Sequence, residues 1–259
     1  METMPNTPFR KTILYLISKL SGAGFLASIF AVYVLLVTEM DWFEFSEAIS
    51  GWFFWVMPFV YGIVSSMIID LIKLKLSNKR RSTEIGLYIL FGFIPFIIYM
   101  EGIMFTIIAG SIGAASALLF LFGIYLTKQS KILRYVVAFV IPIVLIIMAN
   151  IDFTTKVNWK EEQTNLSYQA TFDYFNGKHE IPIEAQQGQI ILFSVEFTNE
   201  NGGGHGYHVR NRLDNYMGME ETVNQHAVEV PEDGIYRIII NGDGIKGKVE
   251  VDWEIRDNN

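Results

Sequence analysis

The chain has 259 residues, of which 51% are hydrophobic and 18% charged, with a formal net charge of −7. It is too apolar for a water-soluble protein of this length and too polar for one embedded in lipid throughout, so two environments are required. Residues 1–151 carry 11 Lys/Arg against 8 Asp/Glu, whereas 152–259 carry 9 against 19. The acidic second part argues against nucleic acid as a partner, and with no cysteine the chain has no disulfide, thiolate metal site or cysteine nucleophile.

Five membrane helices are expected, over about 13–38, 52–72, 85–100, 103–126 and 132–150. A bilayer core accepts runs of about 20 apolar residues because a helix satisfies its own backbone polar groups. The apolar run of the first helix, 22–38, extended back to Ile13 by an amphipathic turn, follows Arg10, Lys11 and Lys19, and its exit, Thr38-Glu39-Met40-Asp41-Trp42, lacks a small-x-small cleavage site, so a retained helix is expected rather than a signal peptide. The second is entered through Trp52, Phe53, Phe54 and Trp55, aromatics suited to the headgroup level. Residues 85–126 as one helix would span about 63 Å, twice the hydrocarbon thickness, so a hairpin turning at Glu101-Gly102 is expected. Pro95 falls within its first arm, and Pro142 within the fifth helix.

The loops set an orientation. Lys73, Lys75, Lys79, Arg80 and Arg81 lie between the second and third helices, and Lys128, Lys131 and Arg134 in the segment 127–134 that joins the fourth to the start of the fifth. The loop 39–51 has Glu39, Asp41, Glu44 and Glu47 but no basic residue. By the positive-inside rule the N-terminus is cytoplasmic and the C-terminal part extracytoplasmic. An outward domain without disulfides suits the cell membrane of a bacterium.

Two acids near the membrane are the candidates for intramembrane chemistry, Asp70 in the last turn of the second helix and Glu101 at the hairpin tip. Asp70 is expected to pair with a neighbouring lysine such as Lys73, and Glu101 to be solvated. Gly110, Ser111, Gly113, Ala114, Ala115, Ser116 and Ala117, with Gly24/Ser28 and Gly62/Ser66, have small-xxx-small spacing, which permits close helix packing within the chain or in a homo-oligomer.

After a linker at 152–165, residues 166–259 change period from helix to strand. Val249, Val251, Trp253 and Ile255 alternate with charged residues, as do Ile191, Phe193, Val195 and Phe197 with their neighbours, and Tyr236, Ile238 and Ile240 share one parity. With Pro231-Glu232-Asp233-Gly234 and Asn241-Gly242-Asp243-Gly244 as turns, about seven strands and an antiparallel β-sandwich are expected. The run from Val230 through Pro231-Glu232-Asp233-Gly234-Ile235-Tyr236 to Trp253 resembles the closing strands of bacterial pre-peptidase-like and GOLD-like jelly-roll domains, and Arg212–Gly218 resembles their strand ending in a turn. That resemblance implies a non-catalytic accessory module and transfers no catalytic residue.

Gly242-Asp243-Gly244-Ile245-Lys246-Gly247 fits the dinucleotide pattern G-x-G-x-x-G but joins strands, without the helix N-terminus that pyrophosphate requires, and is expected to be a hairpin turn. All four histidines, His179, His205, His208 and His226, lie in the acidic part. Within Gly202-Gly203-Gly204-His205-Gly206-Tyr207-His208, His205 and His208 are candidate metal ligands, with acids such as Glu200 or Glu196 to complete a zinc or copper site, and Gly202, Gly203, Gly204, His205 and Tyr207 form a flexible candidate partner-binding loop. No G-x-S-x-G, H-E-x-x-H, Walker or cofactor motif is present. The leading expectation is a non-enzymatic membrane protein that displays a β-sandwich to an envelope protein or glycan. A transporter or channel subunit, with the sandwich as a cap, is the alternative.

Overall fold

The computed structural model describes residues 8–76, 80–99, 102–222 and 225–257. The chain divides into two compact units, Met1–Ile151 and Asp152–Asn259.

The first unit is helical. Its elements are α1 (Pro8–Val37), α2 (Trp42–Ser50), α3 (Trp52–Lys75), α4 (Arg81–Tyr99), α5 (Ile103–Gln129) and α6 (Lys131–Ala149). All but α2 are long and apolar enough to cross a membrane. Gly102, at φ 101°, leads into α5, and a glycine tolerates this backbone without penalty. Glu101 lies outside the described residues.

The acidic loop 39–51 contains a helix that its charge obscured. Asp41 caps α2 by accepting a hydrogen bond from the Glu44 amide at 2.9 Å. Phe45 and Ile49 then fall on one face and pack with Ala31 of α1 and Leu145 of α6.

Proline opens a wide π-type turn in two spans, at Met57–Gly62 around Pro58 and at Val136–Val140 before Pro142. The second is where α1 comes closest to α6: a Cβ on Gly24 would lie 1.9 Å from the Val137 carbonyl oxygen. On the α4/α5 hairpin a Cβ on Gly92 would lie 2.5 Å from the Gly113 carbonyl, and one on Gly110 would strike the Phe93 ring. Gly24 and Gly113 thus serve packing within the chain, where backbones approach too closely for any side chain, and Gly110 makes room for the Phe93 ring.

The second unit is all-β and antiparallel. It comprises β1 (Thr155–Val157), β2 (Lys160–Gln163), β3 (Ser167–Ala185), β4 (Gln189–Asn199), β5 (Gly204–Arg210), β6 (Glu220–Thr222), β7 (Gln225–Glu229) and β8 (Gly234–Asp257). Two long strands organise it. The second half of β8 lies between the first half of β3 and β4, while its first half lies between the second half of β3 and β5. Ala170, Phe172, Phe193, Val249 and Val251 from one half and Ile181, Ile183, Val209, Ile238 and Ile240 from the other enter a single core. One continuous sheet therefore bends over itself into a sandwich.

Two expectations are corrected here. The segment 152–165 is not a linker: β1 and β2 pair with β3, and Trp159 between them stacks on Phe172 with ring centroids 5.1 Å apart. Its strands, of three and four residues, are too short and polar to show alternation, although β2 forms a local hairpin with the start of β3, Gln163 facing Tyr168. Residues 242–247 are not a hairpin turn either. They are the corner of β8, facing register shifts in β3 between Phe172 and Gly177. Gly244 and Gly247 have φ of 60° and 142°, and a Cβ on Gly242 would lie 2.4 Å from the Phe175 ring, so glycine is needed to turn the strand without ending it.

Candidate functional site

The glycine-rich segment is ordered rather than flexible. The Asn199 side chain accepts from the amides of Asn201 and Gly202 at 3.2 and 2.8 Å and donates to the Gly203 carbonyl at 2.7 Å. Asn201 ties the loop to the β8 corner, donating to the Gly244 carbonyl at 2.8 Å and accepting from the Lys246 amide at 2.9 Å. Only 200–203 is loop; Gly204, His205 and Tyr207 belong to β5.

The strand also separates the two metal candidates. His205 and His208 are three residues apart, so they point to opposite faces of β5. His205 rests on Phe197 with centroids 4.4 Å apart, His208 on Tyr216 at 4.8 Å. His226, at the margin of the core, bonds the Tyr207 hydroxyl through Nε2 at 2.6 Å. Among the described residues no group of three or more His, Asp or Glu side chains is placed to hold a metal ion.

A second ordered loop, 211–219, leaves the other end of β5. Arg210 donates to Asp214 and to the Tyr216 hydroxyl, both at 2.9 Å, and its guanidinium lies 4.6 Å from the Tyr216 ring centroid. Arg237 of β8 donates to Asp214 at 2.9 Å and to the Asn211 carbonyl at 3.0 Å. Within this frame Leu213 and Tyr216 remain 64% and 68% exposed. The sequence pattern marked the loop as a turn, but the two arginines that fix it come from different strands.

His179 occupies a third polar cluster. The Lys156 ammonium donates to His179 Nδ1 at 2.7 Å and lies 4.4 Å from the Trp159 ring centroid. Trp159 Nε1 and the Tyr168 hydroxyl both donate to Glu161 Oε2, at 2.7 and 2.8 Å, which holds that carboxyl below its usual range. Burial, reinforced by Lys156, depresses the imidazole pKa to about 4, with Glu161 opposing. The 3.7 Å approach of His179 Nε2 to Glu161 is therefore not an ion pair at neutral pH. Because the unfolded imidazole binds a proton near pH 6.5 and the folded one does not, this stability is present above pH 6.5 and lost as pH falls toward 4. Thermal melts of the full chain between pH 7.5 and 4.5 should show the β unit losing roughly 2 kcal/mol, with a shallower loss in His179→Gln; an identical slope in that variant would remove His179 as the cause.

In the helical unit Asp70 pairs with α1, not with its sequence neighbour. Lys19 Nζ lies 2.6 Å from Asp70 Oδ2 and donates to Ser66 Oγ at 2.7 Å, while Tyr15 donates to the same carboxylate at 2.8 Å. Ser66 and Tyr88 share a 2.5 Å hydrogen bond, so the network joins α1, α3 and α4. Lys73 instead bonds Glu84 of α4 at 2.6 Å. Lys19 is only 5% exposed, a burial that its place ahead of an apolar run does not reveal.

Among the described residues, five membrane-length helices and a separate antiparallel β unit define a polytopic helical membrane protein with an all-β domain. No protein-family model and no curated protein matches the chain.

Proposed function

We propose that the helical unit is an anchor in a bacterial cell membrane and that the β unit, displayed on the extracytoplasmic side, docks an envelope protein or glycan without catalysis. The observation that carries the reading is the 211–219 loop. Leu213 and Tyr216 face solvent from a backbone already fixed by Arg210, Arg237 and Asn211. An aromatic anchor ordered in advance binds with little further loss of conformational freedom. The resemblance of 230–253 to accessory jelly-roll modules points the same way, and the basic loops 73–84 and 127–134 favour the outward orientation.

The absence of native cysteine makes the test simple. A photocrosslinker attached to Leu213→Cys in the full chain is expected to capture a partner from intact membranes, and one on Glu184→Cys is not. Equal capture from both positions, or none from either, would contradict docking through this loop.

A further inference from the structure

At the end of the helical unit where the basic loops lie is an open cavity of about 460 Å³ to which all five spans contribute. Five cations line it against two carboxylates. Both carboxylates are already engaged, Asp70 by Lys19 and Glu84 by Lys73. Lys11, Lys128 and Arg134 thus bring three positive charges with no carboxylate partner among the described residues. Arg134 is fixed at the wall by donating to the Thr127 and Lys128 carbonyls at 3.3 and 3.4 Å. Uncompensated cations on three helices that meet at one cavity repel one another unless an anion lies between them.

Tyr88 also lines a second cavity, of about 140 Å³, whose wall is almost entirely apolar and includes Leu26, Ile69, Phe91 and Phe120. A cationic chamber that shares a wall with an apolar one is matched by a molecule with an anionic head and a hydrocarbon tail. We propose that the cationic cavity binds the phosphate ester of an anionic phospholipid, with Lys11, Lys128 and Arg134 on the headgroup and the first methylenes of a chain entering the apolar cavity. The phosphate chemistry is shared by free phosphate, but only a lipid uses both chambers. Basic pockets between membrane helices are suited to such headgroups. The site does not depend on the docking proposed for the β unit, nor on which side of the membrane that unit lies.

Native mass spectrometry of the full chain in detergent tests this, with titrations of phosphatidylglycerol and phosphatidylcholine of identical acyl chains, and of inorganic phosphate. One equivalent of phosphatidylglycerol should be retained about tenfold more tightly than phosphatidylcholine. Lys11→Gln/Lys128→Gln should abolish that preference, whereas Lys11→Arg/Lys128→Arg and the equal charge loss Lys75→Gln/Lys131→Gln should keep it. Equal affinity of the parent for the two lipids would overturn the proposal, as would loss of preference in the Lys75/Lys131 pair. Phosphate binding that needs Lys11 and Lys128 without a phosphatidylglycerol preference would assign the cavity to free anions and likewise overturn it. Should the glutamine pair fail to fold, the parent's lipid preference and the Lys75/Lys131 control still decide.

Discussion

Replacing Gly247 by alanine is expected to unfold the β unit, whereas alanine at Gly206 is expected to leave it near parental stability. At Gly247 the backbone has φ 142°, and a Cβ would lie 1.9 Å from the Thr198 carbonyl oxygen. Strain and overpacking act together there, and about 3–5 kcal/mol is a large share of a domain's net stability. Gly206 has open space at its Cβ position. Because β8 pairs with β3, β4 and β5, displacement of its corner is felt in both halves of the sandwich. Limited proteolysis of the full chain reads the difference: rapid cleavage within 152–259 in Gly247→Ala and persistence in Gly206→Ala. Equal resistance of the two variants would mean that the corner is not tightly specified.

The second large effect is expected at Lys19. Lys19→Met removes the cation from Asp70 and the donor from Ser66, leaving a carboxylate partly buried without its partner. The cost should be about 3 kcal/mol, at the lower end for a broken buried pair because Asp70 is partly exposed. Lys19→Met/Asp70→Leu should recover most of it, since an apolar pair of similar volume replaces an ion pair at little net loss. Thermal unfolding in detergent checks both. A Lys19→Met midpoint equal to the parent's would show that the pair is mere solvated surface. An unrecovered double variant would shift the weight to the Ser66 and Tyr88 contacts.

The spans were legible because length and apolarity alone decide what can cross a bilayer, and the helix ends fall within a few residues of those read from the apolar runs. The nine-residue helix α2 was not, since the segment 39–51 that holds it carries four acids and no basic residue, although Asp41 as cap and the Phe45/Ile49 spacing were present as signals. Strand alternation revealed the core of β8 but not its continuity. A glycine-rich corner and a glycine-rich hairpin share one local pattern, and only the approach of Phe175 to Gly242 separates them. Asp70 taught the same lesson in the membrane: Lys73 is near in sequence, but Lys19 is the side chain that α1 brings to it. The 211–219 frame was likewise hidden, because Arg237 reaches it from another strand. Signals local to one element could be read in advance, whereas those made by two elements meeting could not.

Accessibility to a membrane-impermeant maleimide on intact, wall-stripped cells tests the proposed anchorage with outward display most directly. Single cysteines at Leu213 in the β unit and at Lys131, the basic residue that opens α6, would be compared. Labelling of Leu213→Cys in intact cells, with Lys131→Cys labelled only after the membrane is opened, is the predicted result. Labelling of Lys131→Cys in intact cells, with protection of Leu213→Cys, would contradict it.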